Sequence, residues 1–115
     1  MAQISLSSQK TINTFQTETY QECFKNINKE YHKKVSVLIK EISQNPFMKS
    51  ELMKGDYKGL RKRKKGRVRI LYAYCKDCRE RGDDKNRKCG CCEDMSDETI
   101  IFFYVGLKGI LYEDR

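Results

Sequence analysis

Proline is nearly missing from this chain: Pro46 stands alone in 115 residues. No Ser- or Gly-rich tract takes its place, so nothing reads as an interdomain linker, and no segment recurs at a fixed period. One domain is predicted. No segment approaches the ~20 apolar residues that a membrane-spanning helix needs. The N-terminal Met-Ala-Gln-Ile-Ser-Leu-Ser-Ser holds no apolar stretch of signal-peptide length. A cytoplasmic protein with no membrane partner is expected, and its cysteines are read against a reducing compartment. Apolar residues are also scarce, 38% against 35% charged, which predicts a small core or a part of the chain lying outside it. The single histidine, His32, follows Tyr31 on a helix and is assigned no role.

Acid is absent from one stretch. Residues 58–69 carry eight Lys and Arg and no Asp or Glu, while the rest of the chain holds sixteen of each sign. The net charge of +8 therefore comes entirely from Lys58-Gly-Leu-Arg-Lys-Arg-Lys-Lys-Gly-Arg-Val-Arg69. A field so concentrated favours a polyanion, RNA foremost, or an acidic protein partner. A solvated, solubilising run is the bland alternative. Here the run leads directly into an apolar strand, which anchors it in the fold.

The remaining pattern predicts an α+β domain. Residues 11–17 alternate with β-branched side chains and read as a first strand. Thr19-Tyr-Gln-Glu22 fits a capping box. Tyr20, Phe24, Ile27, Tyr31, Val35, Leu38 and Ile42 then recur at helical steps. Asn26 and Asn28 can divide that stripe into a helical hairpin, and Asn45-Pro46 ends it. Residues 47–57 read as a loop. Residues 60–64 and 67–74 read as a hairpin turning at Lys65-Gly66. Val68, Ile70, Tyr72 and Tyr74 form its apolar face. The opposite face is expected to present Arg61, Arg63, Arg67 and Arg69 outward. Residues 99–105 are apolar on both faces and read as a central strand broken by Gly106. Residues 108–112 read as a last strand, with Lys108, Ile110 and Tyr112 on one side. The expected fold is a small, mainly antiparallel sheet of about four strands with an N-terminal helix or helical hairpin on one face.

An early strand, a helical pair ending at Asn45-Pro46, a basic strand, Gly66-Arg-Val-Arg69-Ile-Leu-Tyr72, an apolar strand ending at Gly106 and a final Tyr112 together resemble the RelE/ParE toxin superfamily of toxin–antitoxin systems. The resemblance spans residues 11–74 and 99–112. It implies a toxin neutralised by an antitoxin: a ribosome-dependent mRNA endonuclease in the RelE branch, a gyrase inhibitor without nuclease activity in the ParE branch. By position it places Arg61, Arg63, Arg69, Lys108 and Tyr112 around the scissile phosphate, with Lys108 where many members have Arg. Lys58, Lys62, Lys64, Lys65 and Arg67 are left as general phosphate or antitoxin contacts.

RNA cleavage by internal attack needs a 2′-hydroxyl deprotonated, a dianionic transition state stabilised and a 5′-oxygen protonated. Arginine can serve only the second need, because it stays protonated in proteins. Tyr112, among cations that favour its phenolate, is the candidate base or proton relay, and Lys108 the candidate acid or a further phosphate ligand. Such a site is strong in electrostatics and weak in proton transfer, so it would rely on the ribosome to orient mRNA.

Residues 75–98 hold five of the six cysteines, charges of both signs and almost nothing apolar. They read as an insertion between two strands. Cys75-Lys-Asp-Cys78 and Cys89-Gly-Cys91-Cys92 look like two halves of a structural zinc site, with Cys75, Cys78, Cys89 and Cys92 as ligands and Cys91 as an alternative. Disulfides or free thiols remain open. With six basic and eight acidic side chains, the insert is a poor phosphate binder. Three functions stand: a RelE-type endonuclease, a ParE-like toxin acting on a protein, and a zinc-containing RNA- or ribosome-binding domain without toxicity.

Overall fold

The computed structural model describes residues 12–82 and 95–108. Strand β1 (Asn13–Gln16) leads to helix α1 (Glu18–Lys25), a 3-10 turn (Lys29–Tyr31) and helix α2 (His32–Gln44). Strand β2 (Glu51–Leu52), a second 3-10 turn (Gly55–Tyr57), β3 (Arg61–Lys65) and β4 (Val68–Tyr74) follow. Helix α3 (Cys75–Arg81) and β5 (Thr99–Leu107) complete the described chain. The five strands lie in the order β1-β5-β4-β3-β2. Every pairing is antiparallel except β1 with β5. The expected α+β sheet is present, with β2 as one strand more, drawn from the segment read as loop.

The helical stripe divides where the asparagines predict. The cap of α1 is Thr17, two residues before the Thr19 expected: its hydroxyl accepts from the Tyr20 amide at 3.0 Å, and its backbone is extended. Asn45, also extended and next to Pro46, closes α2. The helices and their connection bury Tyr20, Ile27, Val35, Leu38 and Ile42 against Val68, Ile70, Tyr72, Ile100, Phe102 and Val105 of the sheet. Each such aliphatic or aromatic side chain contributes about 1.5–3 kcal/mol of burial. A smaller cluster covers the opposite, outer face: Leu60, Leu71 and Ala73, with Met53, Tyr57, Phe103 and Tyr104 packed on it.

One expectation changes. Gly106 does not break the strand, since β5 runs through it to Leu107 and Gly106 stands opposite Arg69. The segment read as an insertion between two strands opens with α3. This helix buries Cys75, Asp77 and Cys78 and ends at Gly82, whose φ of 79° suits a left-handed cap. Residues 109–112, expected to finish a last strand with Tyr112, lie outside the described residues, as do residues 83–94. No helix of the described residues is long and apolar enough to cross a membrane.

Candidate nucleic-acid interface

Hairpin geometry decides which cations face outward. β3 and β4 turn through Gly66-Arg67, with Gly66 at φ 58°, so Lys65 and Val68 stand opposite each other. Opposed residues of an antiparallel pair share a face, and the pleat carries this back along the strand. Arg63 therefore lies with Ile70 and Arg61 with Tyr72, on the helix side. Lys62 lies with Leu71 and Lys64 with Arg69, on the outer side. The expected outward presentation of Arg61 and Arg63 is corrected: they lie on the face opposite Arg69, and the three do not converge.

Acids on the helix side hold those two arginines. Arg61 forms a two-point pair with Asp77, Nε to Oδ2 at 2.8 Å and Nη2 to Oδ1 at 3.2 Å. It also donates to Ser50 Oγ at 2.9 Å and stacks 4.9 Å from the Phe47 ring centroid. Arg81 takes the same carboxylate at 2.7 and 3.2 Å, so two guanidinium groups clamp Asp77. Burial pushes the Asp77 carboxyl up, but hydrogen bonds from Arg81 and Arg61, with their charges, outweigh it and hold it below the usual range. Arg63, only 5% exposed, reaches Glu41 of α2 at 2.7 Å, and Lys65 reaches the other oxygen of Glu41 at 3.2 Å. Arg61, Arg63 and Lys65 thus tie β3 to α3 and α2.

The outer face carries a different set. In one row across the sheet stand Lys62, Leu71 and Tyr104, and in the next Lys64, Arg69 and Gly106. Lys64 is exposed. Lys62, its side chain 16% exposed, pairs at 3.8 Å with Glu51, which is well exposed. Arg69 is buried, and its Nη1 donates to the carbonyls of Gly66 at 2.6 Å and Val68 at 3.1 Å, which fix one end of the guanidinium. Gly106 puts no side chain opposite it. Arg67 and Lys108, both exposed, sit at the rim, where the Lys108 amide bonds the Arg67 carbonyl at 2.8 Å. Lys58 is exposed beside Tyr57 at the other end. Of the five residues expected around a scissile phosphate, Arg69 and Lys108 reach this face or its rim, Arg61 and Arg63 do not, and Tyr112 lies outside the described residues.

Sequence reasoning did not single out Tyr57, Phe103 or Tyr104, which lie among these cations. The signal that could have sorted the lysines from the arginines is the parity of the turn. A two-residue turn at Gly66-Arg67 sends odd-numbered β3 residues to the apolar face of β4.

Cys75 and Cys78 sit three residues apart on α3, and both are buried. Two thiols at that helical spacing can supply half of a tetrahedral thiolate set. Cys89, Cys91 and Cys92 lie outside the described residues, and among the described residues no three His, Cys, Asp or Glu gather as a metal site.

No protein-family model matches the sequence. No curated protein matches it either. Solved structures do match in fold. A chain of the RelBE2 toxin–antitoxin complex from Mycobacterium tuberculosis aligns over 86% of this chain and all of its own, with TM-score 0.61 and 14% identity. YafQ from E. coli aligns over 88% of this chain and 98% of its own, with TM-score 0.58 and 13% identity. HP0894 from Helicobacter pylori aligns over 88% and 99%, with TM-score 0.56 and 14% identity. The helical hairpin packed on a mainly antiparallel sheet is thus the RelE-like toxin fold.

Proposed function

We propose that this chain is the toxin of a toxin–antitoxin pair and that its outer sheet face binds mRNA for ribosome-dependent cleavage. The supporting observation is the asymmetry of the basic run. Its odd-numbered β3 residues lie on the helix side with Glu41 and Asp77, whereas Lys64, Arg69 and the Glu51-paired Lys62 lie on the face away from the helices, with Arg67 and Lys108 at its rim. Likeness in fold to a chain of a toxin–antitoxin complex supports the toxin role. In this reading Lys62 and Lys64 take the phosphate-binding places that the resemblance assigned to Arg61 and Arg63.

Arg69, fixed by two carbonyls, is the preoriented cation for the transition-state charge. Lys108 grips a phosphate or protonates the leaving oxygen, and Tyr112 remains the base that the resemblance implies. With no strong base among these groups, the chemistry depends on the ribosome to align the 2′-hydroxyl. An antitoxin with an acidic or amphipathic segment would neutralise the toxin by covering the same face.

Induced expression followed by mapping of mRNA 5′ ends on ribosomes tests the proposal. The expected result is growth arrest with new ends that appear only during translation and vanish in Arg69→Ala. Growth arrest without translation-dependent ends would reject the nuclease and favour a toxin acting on a protein target. Normal growth would reject the toxin role.

A further inference from the structure

The sheet carries an irregularity beside the cations. The register of β4 with β5 passes from Leu71 opposite Tyr104 to Tyr72 opposite Phe102, so Phe103 is an extra residue: a β-bulge. Consecutive strand residues ordinarily point to opposite faces. Here Phe102 enters the helix-side core, while Phe103 and Tyr104 both pack on the outer cluster of Leu60, Leu71 and Ala73. The bulge is held from behind, where the Thr17 amide bonds the Phe102 carbonyl at 3.1 Å and the Thr17 hydroxyl bonds the Phe103 carbonyl at 3.3 Å. Tyr57, presented by its 3-10 turn, meets the Tyr104 ring edge-on at 5.5 Å, and the Phe103 ring lies tilted to it at 6.5 Å. All three rings are half-buried. The outer face therefore holds an aromatic trio centred on Tyr104, in the same row as Lys62 and next to the row of Lys64 and Arg69.

Apolar packing alone does not call for two successive aromatic residues turned to one face beside a cationic row. Aromatic rings flanked by cations are how proteins hold unpaired bases, with the rings stacking on the π-faces and the cations taking the backbone. We propose that Tyr57, Phe103 and Tyr104 form a stacking platform for unpaired nucleobases of the RNA whose phosphates Lys62, Lys64 and Arg69 bind. Tyr104 is its central residue. The platform gives the face a preference for single-stranded RNA with bases over duplex, whose bases are stacked internally. This rests on the reading of the outer face as the RNA-binding face.

The test is fluorescence anisotropy with the full chain and three labelled probes of equal length: a single-stranded RNA, its duplex, and a strand abasic at its central positions. Tyr104→Leu keeps an apolar side chain on Leu60, Leu71 and Ala73 but removes the ring, and Tyr104→Phe keeps the ring. The expected result is that Tyr104→Leu weakens single-strand binding about 5- to 100-fold. Tyr104→Phe binds as wild type, duplex binding is unchanged in both, and wild type binds the abasic strand as weakly as Tyr104→Leu binds the intact one. The abasic arm uses wild type alone, so it stands even if a variant folds poorly. Equal wild-type affinity for intact and abasic strands overturns the platform and leaves the phosphate-binding face in place. No salt-sensitive binding to any probe overturns both.

Discussion

Arg61 and Asp77 meet through two hydrogen bonds, Nε to Oδ2 at 2.8 Å and Nη2 to Oδ1 at 3.2 Å, and so lock β3 to α3. Both side chains are largely buried, at 14% and 8% exposed. Removing one partner of such a pair leaves an uncompensated buried charge, at a cost of about 3–5 kcal/mol. Asp77→Ala strands Arg61 and Arg81 together, two like charges facing one vacated position. Its melting temperature is expected to fall by more than about 10 °C. Calorimetry on wild type and variant checks this, and a drop of a degree or two would show that α3 is not held by this pair.

The same pair sets an acid limit. The Asp77 carboxyl titrates below the usual range because hydrogen bonds from Arg81 and Arg61 outweigh the burial that pushes it up. A carboxyl with a lower pKa folded than unfolded contributes its full stabilisation above the unfolded value of ~3.9 and loses it as pH falls through the folded value. The stability gap between wild type and Asp77→Asn should therefore stay constant from about pH 7 to 5 and narrow below about pH 4. Urea midpoints across that range measure it. A gap that widens in acid would have the wrong sign for this linkage.

Neighbouring residues of β3 should separate stability from binding. Arg63 is buried, while Glu41 is a third exposed and keeps Lys65, so Arg63→Ala is expected to cost about 1–3 kcal/mol of stability. Lys64→Ala, on the exposed outer side, should stay within about 0.5 kcal/mol of wild type. For RNA the order reverses. Lys64→Ala should weaken binding and lower the slope of log affinity on log salt by about 0.7–1, as loss of one phosphate contact does. Arg63→Ala, where folded, should keep the wild-type slope. Denaturant melts and salt-series anisotropy on the two variants decide the matter, and a reduced slope in Arg63→Ala would place that side chain on the RNA instead.

Elements whose stability comes from a repeated apolar pattern were legible in the sequence. The stripe from Tyr20 to Ile42 gives both helices, and residues 99–105, apolar on both faces, give a strand covered on both. The even-handed basic run of β3 was not legible in the same way. With every residue from Arg61 to Lys65 cationic, no apolar alternation marks which face is buried, and only the turn parity sets it. What permits arginines on the buried side is two acids distant in sequence, Glu41 and Asp77. Helix α3 was hidden for the same reason: its burial depends on Asp77 meeting Arg61, a tertiary contact that a charged heptapeptide does not announce. The alternation located the cationic strand, Arg61–Lys65 in the structure, and assigned its arginines to the outward face, which the register with β4 gives to Lys62 and Lys64.

The cysteines supply a last prediction. Cys75 and Cys78 occupy successive turns of α3, buried next to the Asp77 clamp, so a metal bound there would fasten the same helix that the ion pair fastens. Zinc held by these two thiolates and two from Cys89, Cys91 and Cys92 should appear as about one equivalent per chain in protein purified without chelator. Cys78→Ser should lose most of it, because thiolate is the ligand form that zinc favours. Chelation should lower the melting temperature of wild type, and should do so less in Cys78→Ser, which has already lost the site. Metal analysis and thiol counting in denaturant read the outcome together. Metal-free protein with all six thiols reactive would exclude both zinc and disulfides. Metal-free protein with fewer reactive thiols would assign the cross-link to disulfides.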